Sequence, residues 1–266
     1  PGVICTSPNG HGGTLTALSE SGLLDDLTSQ GIRHLFYFQV DNPLVKIADP
    51  AFVGQHIASK VEVSSKAISK AFAKERMGIL ALIDGRCGII EYSDLPEDLA
   101  TASDTHGHLV YRAGSPAIHL FALDFLKQIT RGEKRLPYHI ARKKVPCLDT
   151  AGLWHSPTTE NALKFELFVF DALPMAERWL VVEAPRSEEF APLKNAAGID
   201  SPETCQQALS NLVGDWLEKA GAFVARDDEG QVPIPLEVSP KFALDPAEFA
   251  SRIYAGRKFE SSVYFE

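Results

Sequence analysis

Segments typical of β-strands alternate with segments typical of α-helices over residues 1–220, and this alternation limits the possible folds more than any other feature of the sequence. Leucines recur near the helical period in Thr14–Gln30, and the aromatic-rich segment Arg33–Val40 that follows is typical of a buried strand. Asp49 and Pro50 then predict an N-cap and the first turn of a second helix. We therefore expect an α/β fold with a largely parallel sheet.

The remaining segments complete this prediction. Asp84-Gly85 indicates a hairpin between two short apolar runs. Leu163–Trp179 mixes strand and helix patterns that the sequence does not separate. The predicted strands are Val61–Lys70, Gly78–Ile83, Cys87–Tyr92 and Trp179–Glu183, and the predicted helices are Leu123–Thr130 and Ser201–Ala220. Short apolar pieces between turns after Gly221 predict a small β-rich appendage, with domains at 1–205 and 206–266.

Charge and cysteine content exclude several classes of protein. The chain has 26 Lys and Arg against 35 Asp and Glu, a net charge of −9, which argues against a nucleic-acid partner. Its apolar runs are strand-sized, so we expect no membrane partner. The four cysteines, Cys5, Cys87, Cys147 and Cys205, lack zinc-ligand spacing and are too few for a disulfide framework. We expect reduced thiols in a cytoplasmic protein.

A glycine-rich segment precedes the first predicted helix. Gly10, Gly12 and Gly13 surround His11, and such a loop lets the backbone approach a ligand closely. An ordinary glycine-rich turn explains this segment as well, and taken alone the segment favours the turn.

Three charged residues are candidates for chemistry at strand or loop ends. Asp41 follows the first strand, where a single carboxylate suits Mg²⁺ held together with substrate phosphates, or where it caps a turn at Asn42-Pro43. Glu91 either binds sugar hydroxyls or caps the next helix through Ser93. Lys194 either contacts a phosphate or is an ordinary solvated lysine.

Two histidines lie beside apolar residues, so a structural role explains them more simply than a functional one. For His119 and His139 we expect core histidines whose ring nitrogens have hydrogen-bond partners.

Taken in order, the motifs resemble those of the eukaryotic-type UDP-N-acetylhexosamine pyrophosphorylases, within the wider UDP-sugar pyrophosphorylase family. Each motif alone is weak, but their shared order over three-quarters of the chain is specific. The matching segments are Pro8–Gly13, Val40–Pro50, Glu91–Ser93, Ala113–Gly114, His139–Lys144, Phe165–Asp171 and Pro192–Ala196.

The resemblance implies a nucleotide-diphospho-sugar transferase fold with a Rossmann-like mixed sheet. It also implies a uridylyltransferase in which a sugar 1-phosphate attacks the α-phosphorus of UTP, giving a UDP-sugar and pyrophosphate. The roles that it implies are nucleoside contacts for Gly10 and His11, Mg²⁺ binding for Asp41, sugar contacts for Gly78, Glu91 and Ser115, and a catalytic phosphate contact for Lys194.

Three departures from the family pattern limit these expectations. The family's Gly-Gly-x-Gly-Thr-Arg-Leu-Gly loop is absent, so we expect a C-terminal part of the catalytic subunit that is inactive alone and whose partner is the missing N-terminal half. His11 resembles the UDP-glucose branch, and Arg112 and Ser115 replace asparagines of the acetylhexosamine branch. The sugar is therefore N-acetylglucosamine, glucose or galactose.

Two other functions remain open at this point. A nucleotide-sugar-dependent glycosyltransferase commonly presents Asp-x-Asp to its metal, whereas Asp41-Asn42-Pro43 offers one carboxylate. A non-catalytic UDP-sugar-binding module is the other alternative.

Overall fold

The computed structural model describes residues 6–133 and 135–266, so the expectation of a reduced thiol at Cys5 lies outside the described residues. Eight α-helices are present in that part of the chain: α1 Gly13–Glu20, α2 Leu23–Ser29, α3 Pro50–Ser59, α4 Glu97–Thr101, α5 Leu123–Arg131, α6 Arg186–Glu189, α7 Pro202–Lys219 and α8 Pro246–Ala250. A 3₁₀ helix spans Val169–Met175.

Fifteen short strands accompany the helices. They are β1 His34–Tyr37, β2 Val63–Ser69, β3 Ile79–Ile83, β4 Arg86–Ile90, β5 Ala113–Gly114, β6 His119–Ala122, β7 Tyr138–Lys143, β8 Cys147–Leu148, β9 Trp154–His155, β10 Ala162–Leu167, β11 Trp179–Glu183, β12 Phe223–Val224, β13 Leu236–Val238, β14 Lys258–Phe259 and β15 Val263–Phe265.

Most of the predicted elements are present, with two changes near the start. The predicted helix Thr14–Gln30 is wrong as one element, because Gly22 adopts φ 81° and separates α1 from α2. The predicted strand Arg33–Val40 shortens to β1, and its residues are half-buried. Asp49 caps α3 as predicted, its carboxylate accepting a hydrogen bond from the Ala51 amide at 3.0 Å.

The main sheet has seven strands, in the order β1-β6-β2-β5-β3-β4, with β11 paired to β2. Within it, β11 and β2 run parallel and the other pairs are antiparallel. The expectation of a largely parallel sheet is therefore wrong, whereas a mixed sheet is confirmed. One physical reason is the tight Asp84-Gly85 turn, since strands joined by so short a hairpin must be antiparallel.

β2 is the central strand, and its alternating side chains divide the molecule into two sides. Val63 and Ala67 pack into the main hydrophobic core, beneath α1, α2 and α5. Ser64 and Lys66 point the other way and bond to residues of α3 and its N-cap. This division fixes which polar groups of β2 can reach the cavity described below.

The C-terminal region builds a separate hydrophobic cluster around α7. Val213, Trp216, Leu217, Phe249 and Phe265 are among its buried members. Two parallel strand pairs, β12 with β14 and β13 with β15, supply the β-structure that the sequence predicts there. The proposed boundary between residues 205 and 206 falls inside α7 and stays a prediction.

No helix in the described ranges 6–133 and 135–266 combines the length and apolarity that crossing a membrane requires.

Candidate functional site

A cavity of about 240 Å³ lies where loops after β1, β4 and β5 meet the start of β3 and the 3₁₀ helix. We call it the site cavity. Six of the seven predicted site residues line it, although they come from distant parts of the chain. These six are His11, Asp41, Gly78, Glu91, Ser115 and Lys194.

The loop that carries Asp41 is tied to the segment that carries Lys194. Buried Asn42 donates a hydrogen bond to the Glu189 carbonyl at 2.7 Å and accepts one from the Ala191 amide at 3.0 Å. The Leu193 amide donates to the Asp41 carbonyl at 2.7 Å. Asn42, rather than Asp41, thus supplies the side-chain bonds of this turn, and Asp41 is among the residues that line the site cavity.

Lys194 has features of both alternatives that the sequence leaves open. The residue is exposed, as the solvated-lysine alternative requires, and it also lines the site cavity. Its ammonium group lies 5.9 Å from the centre of the Phe190 ring, which limits the directions that the side chain takes. Lys194 therefore offers a cation to the site cavity.

Gly78, Glu91 and Ser115 form one wall. The Ser115 amide donates to the Gly78 carbonyl at 2.8 Å, which joins two strand ends. A Cβ placed on Gly78 would lie 2.8 Å from Ile89 Cγ2 and 3.5 Å from Glu91 Oε1. A side chain at position 78 would therefore clash with Ile89 and lie in van der Waals contact with the Glu91 carboxylate, so the requirement for glycine comes mainly from Ile89.

Two carboxylates of this region have raised pKa values. Burial raises the pKa of Glu91, and the negative charges of Asp94 and Asp171 raise it further. Burial likewise raises the pKa of Asp171, which pairs with His139 Nε2 at 2.7 Å. The expectation of a core histidine at His139 is wrong, because its side chain is 41% exposed and belongs to this ion pair.

The glycine-rich loop packs against the end of β10. Gly10 has φ 74°, and a Cβ there would lie 2.9 Å from the Leu167 nitrogen and closer still to its carbonyl oxygen. Gly10 is adjacent to the site cavity but is not among the residues that line it. The requirement for glycine at this position thus has a packing reason independent of any ligand.

His11 is held in one orientation. Its Nδ1 accepts a hydrogen bond from the Val169 amide at 3.0 Å, so the ring proton resides on Nε2. The ring stacks on Phe168 with centroids 5.2 Å apart, and burial lowers its pKa. A neutral His11 ring therefore offers an N–H donor beside the site cavity.

His119 is the residue whose role the sequence underestimates. It is 1% exposed, as a core histidine should be, yet it lines the site cavity and its Nε2 has no hydrogen-bond partner among the described residues. Arg76 also lines the site cavity, and nothing in its sequence context indicates this.

No group of three or more His, Cys, Asp or Glu side chains arranged to hold a metal ion is found in the described part of the chain. Asp41 is the predicted metal ligand, and Mg²⁺ commonly binds proteins through one or two carboxylates together with substrate phosphates. The donor set at the site cavity therefore suits a Mg²⁺ ion that arrives with phosphates, and does not suit a metal held by the protein alone.

Two larger cavities lie elsewhere and contain none of the predicted site residues. One of about 440 Å³ adjoins Arg86, Gln128 and Met175. The other, of about 720 Å³, lies between α7 and the strands β13 and β15. Volume alone would thus select the wrong cavity, whereas the converging polar groups distinguish the site cavity.

Comparisons with known proteins identify the family to which the chain is similar. The family model described as UTP–glucose-1-phosphate uridylyltransferase matches residues 5–212. The UDP-N-acetylglucosamine pyrophosphorylase of Saccharomyces cerevisiae is 40% identical over 231 residues, covering 84% of this chain and 48% of the relative. UDP-N-acetylglucosamine diphosphorylase 2 of Arabidopsis thaliana is 35% identical over 272 residues, covering 98% of this chain and 51% of the relative.

Solved structures show the same fold. An Entamoeba histolytica protein assigned as a UDP-N-acetylglucosamine pyrophosphorylase superposes with a TM-score of 0.83 and 31% identity, over 98% of this chain and 63% of that one. A UDP-glucose pyrophosphorylase from Leishmania major, at 19% identity and a TM-score of 0.59 over 98% of this chain and 58% of that one, agrees in fold alone. The chain spans about half the length of the curated relatives it matches.

Proposed function

Because the chain belongs to the UTP–glucose-1-phosphate uridylyltransferase family, we propose that its protein is a uridylyltransferase that makes UDP-N-acetylglucosamine and pyrophosphate from UTP and N-acetylglucosamine 1-phosphate. The observation that carries this proposal is the convergence of six predicted residues, from distant segments, on one cavity.

The chemistry requires no covalent enzyme intermediate. A phosphate oxygen of the sugar 1-phosphate attacks the α-phosphorus of UTP in line, a new P–O bond forms, and the bond to pyrophosphate breaks. Positioning and charge neutralisation therefore supply the catalysis. In our proposal Lys194 pairs with a phosphate, Gly10 and His11 contact the nucleoside, and the wall of Gly78, Glu91 and Ser115 binds the sugar.

Asp41 would hold a Mg²⁺ ion that the substrate phosphates also bind. Such an ion neutralises phosphate charge and draws electron density from the reacting phosphorus. The contribution of this chain is to fix the carboxylate, and the bonds of Asn42 to residues 189 and 191 do so.

The rest of a longer polypeptide is the partner that we propose for this chain. β1 is an edge strand of the main sheet, and its residues His34–Tyr37 are half-buried and mostly aromatic or aliphatic. An edge of this kind is suited to pairing with a further strand. The relatives have about twice the length matched here, so we expect that the chain alone does not turn over.

We favour N-acetylglucosamine over glucose as the sugar. The Saccharomyces cerevisiae and Arabidopsis thaliana relatives, at 40% and 35% identity, carry N-acetylglucosamine in their names, whereas the Leishmania major UDP-glucose enzyme agrees at the level of fold. His11 and Ser115 are the positions that keep the glucose alternative open. For its compartment we propose the cytoplasm, since Cys87, Cys147 and Cys205 are free thiols.

The direct test is turnover by the full-length protein. We expect Mg²⁺-dependent release of pyrophosphate from UTP with N-acetylglucosamine 1-phosphate, at a higher kcat/KM than with glucose 1-phosphate. Asp41→Asn should abolish this turnover, whereas Asp98→Asn, a matched change on exposed α4, should not. Binding of UDP-N-acetylglucosamine without turnover by the full-length protein would favour a non-catalytic binding module instead.

A further inference from the structure

Two neighbouring serines of β2 each bond a buried histidine. Ser64 Oγ lies 2.7 Å from His56 Nδ1, on the side that faces α3. Ser65 Oγ lies 2.8 Å from His119 Nδ1, on the side of the site cavity. Both histidines are inaccessible to solvent, at 0% and 1% exposure. The two pairs are therefore chemically matched, and they differ in what the second ring nitrogen meets.

The second nitrogen is paired in one histidine and unpaired in the other. His56 Nε2 lies 3.1 Å from His34 Nδ1, so both of its nitrogens are bonded. His119 Nε2 has no partner within residues 6–133 or 135–266. A buried polar group without a partner is unfavourable by about 1–3 kcal/mol, and its presence in a folded protein requires an explanation.

The Ser65 hydroxyl determines which nitrogen of His119 carries the proton. Its bonding partner in the described part of the chain is His119 Nδ1. Donation from the Nδ1–H to the hydroxyl would leave both the hydroxyl proton and Nε2 without a partner, so donation from the hydroxyl to Nδ1, with the ring proton on Nε2, satisfies more groups. Burial also lowers the pKa of His119 to about 3, so the ring is neutral near pH 7. The unpaired atom is thus an N–H donor, which requires an acceptor.

The position of His119 indicates which part of a bound ligand would supply that acceptor. His119 pairs in register with Tyr37 on one side and with Ser65 on the other, directly after the turn that contains Ser115 and Ala117. Ser115 and Ala117 line the same cavity. His119 thus follows by two residues the turn that supplies Ser115 to the wall to which we assign the sugar, and it lines the same cavity.

We propose that His119 determines sugar specificity, with its Nε2–H donating a hydrogen bond to an oxygen of the hexose or of its N-acyl group. This inference rests on the proposed function and deepens it. The inference requires that neighbouring side chains change rotamer when the ligand binds, a common event at binding surfaces, because Nε2 is shielded in this structure. Ser65 acts as a positioning residue, because it fixes the tautomer that makes His119 a donor.

The test compares His119→Phe with His56→Phe in the full-length protein. Both changes keep an aromatic ring and leave one serine without its partner. We expect His119→Phe to weaken binding of UDP-N-acetylglucosamine about 10-fold by calorimetry, the effect of losing one hydrogen bond. Affinity for UDP should stay unchanged in both variants, and His56→Phe should bind both ligands as the unmodified protein does.

Other ligands and a spectroscopic measurement complete the design. A loss shared by UDP-glucose identifies a hydroxyl acceptor, and a loss confined to UDP-N-acetylglucosamine identifies the acyl carbonyl. His119→Gln, which keeps an N–H donor, should bind more tightly than His119→Phe. Should His119→Phe fail to fold, ¹⁵N NMR of the unmodified protein decides, since the inference requires the Nε2–H tautomer.

Three results overturn the inference. They are unchanged affinity of His119→Phe for the UDP-sugars, an equal loss for UDP alone, and a proton observed on Nδ1. Failure of the unmodified full-length protein to bind UDP-N-acetylglucosamine would instead reject the proposed function and this inference together.

Discussion

The two sides of β2 carry similar polar residues but differ in how completely they are paired. On the α3 side, Ser64 bonds His56, and Lys66 bonds Asp49 at 2.9 Å and Glu189 at 2.5 Å. On the cavity side, Ser65 bonds His119, whose second nitrogen has no partner in the described part of the chain. Paired polar groups hold the elements together, whereas an unpaired donor beside a cavity is available to a ligand.

One atom on the α3 side is an exception to this complete pairing. Glu189 Oε2 is buried and has no partner among the residues that the structure describes, although Oε1 of the same carboxylate bonds Lys66. A carboxylate can leave one acceptor oxygen unused while its charge is balanced, so the ion pair still accounts for this residue. His119, in contrast, forms no ion pair with any residue in the ranges 6–133 and 135–266. The following experiments test the contrast, beginning with the largest expected effect.

Loss of Lys66 should be the most destabilising change. Lys66→Met leaves the Glu189 carboxylate buried without its cation, and breaking such pairs typically lowers the free energy of unfolding by about 3–5 kcal/mol. Urea unfolding of the chain measures the loss. The double variant Lys66→Met/Glu189→Leu should recover much of it.

Lys219→Met is the matched control, because Lys219 reaches Glu188 at 3.9 Å from an exposed position. We expect it to change the free energy of unfolding little. Equal losses in the free energy of unfolding for Lys66→Met and Lys219→Met would show that the polar groups on the α3 side do not form a tightly paired network.

Replacing either buried histidine should reveal the difference in pairing. His56→Phe breaks two hydrogen bonds and leaves Ser64 and His34 unpaired, so we expect a loss of about 2 kcal/mol in the free energy of unfolding. His119→Phe breaks one hydrogen bond and should lower it by about 1 kcal/mol. Thermal or urea unfolding at pH 7 checks the order, and a larger loss for His119→Phe contradicts it.

The pH dependence of the free energy of unfolding gives a further test of how His56 is buried on the α3 side. Burial lowers the pKa of His56 from 6.5 to about 4, and the nearby His34 adds to this. The folded protein then binds fewer protons than the unfolded chain, so stability from His56 is complete above pH 6.5 and is lost as the pH falls toward 4.

The expected slope from this one group is up to about 1.4 kcal/mol per pH unit. His56→Phe should therefore show a shallower loss of stability on acidification than the unmodified chain between pH 6.5 and 4. Urea unfolding at a series of pH values measures both slopes. Parallel curves would mean that His56 titrates normally in the folded state.

Removal of the Ser65 hydroxyl should lower stability as little as His119→Phe does. Ser65→Ala removes one buried hydrogen bond, worth about 1 kcal/mol, and frees His119 Nδ1. We expect ¹⁵N NMR to show a larger Nδ1–H fraction for His119 in this variant. Ser64→Ala provides the control on the other side, and it should leave the His119 tautomer as it is.

Local patterns predict much of this fold. The cap at Asp49, the Asp84-Gly85 hairpin and the late helix α7 are all as predicted, because each depends on residues close in sequence. Strand direction elsewhere in the sheet, in contrast, does not depend on residues close in sequence. The order β1-β6-β2 places neighbours in the sheet that are far apart in the chain, and no local pattern reports such pairing.

The site residues likewise fall into those that the sequence predicts and those whose role it misses. Motif resemblance brings Asp41, Glu91 and Lys194 together, and the structure gathers them at one cavity. The sequence predicts His119 as a core histidine and misses its place at the cavity, because a buried histidine in an apolar strand has the same sequence pattern whether or not its second nitrogen has a partner. That distinction arises from the register of β6 against β1 and β2, which only the folded chain displays.

The most direct test of the central claim is a crystal structure of the full-length protein with UDP-N-acetylglucosamine and Mg²⁺. We predict the nucleotide sugar in the cavity on the Ser65 side of β2, with its hexose against Gly78, Glu91 and His119, while the Ser64–His56–His34 bonds stay as they are. A nucleotide sugar seated elsewhere, for example in the groove between α7 and β13, would contradict the account.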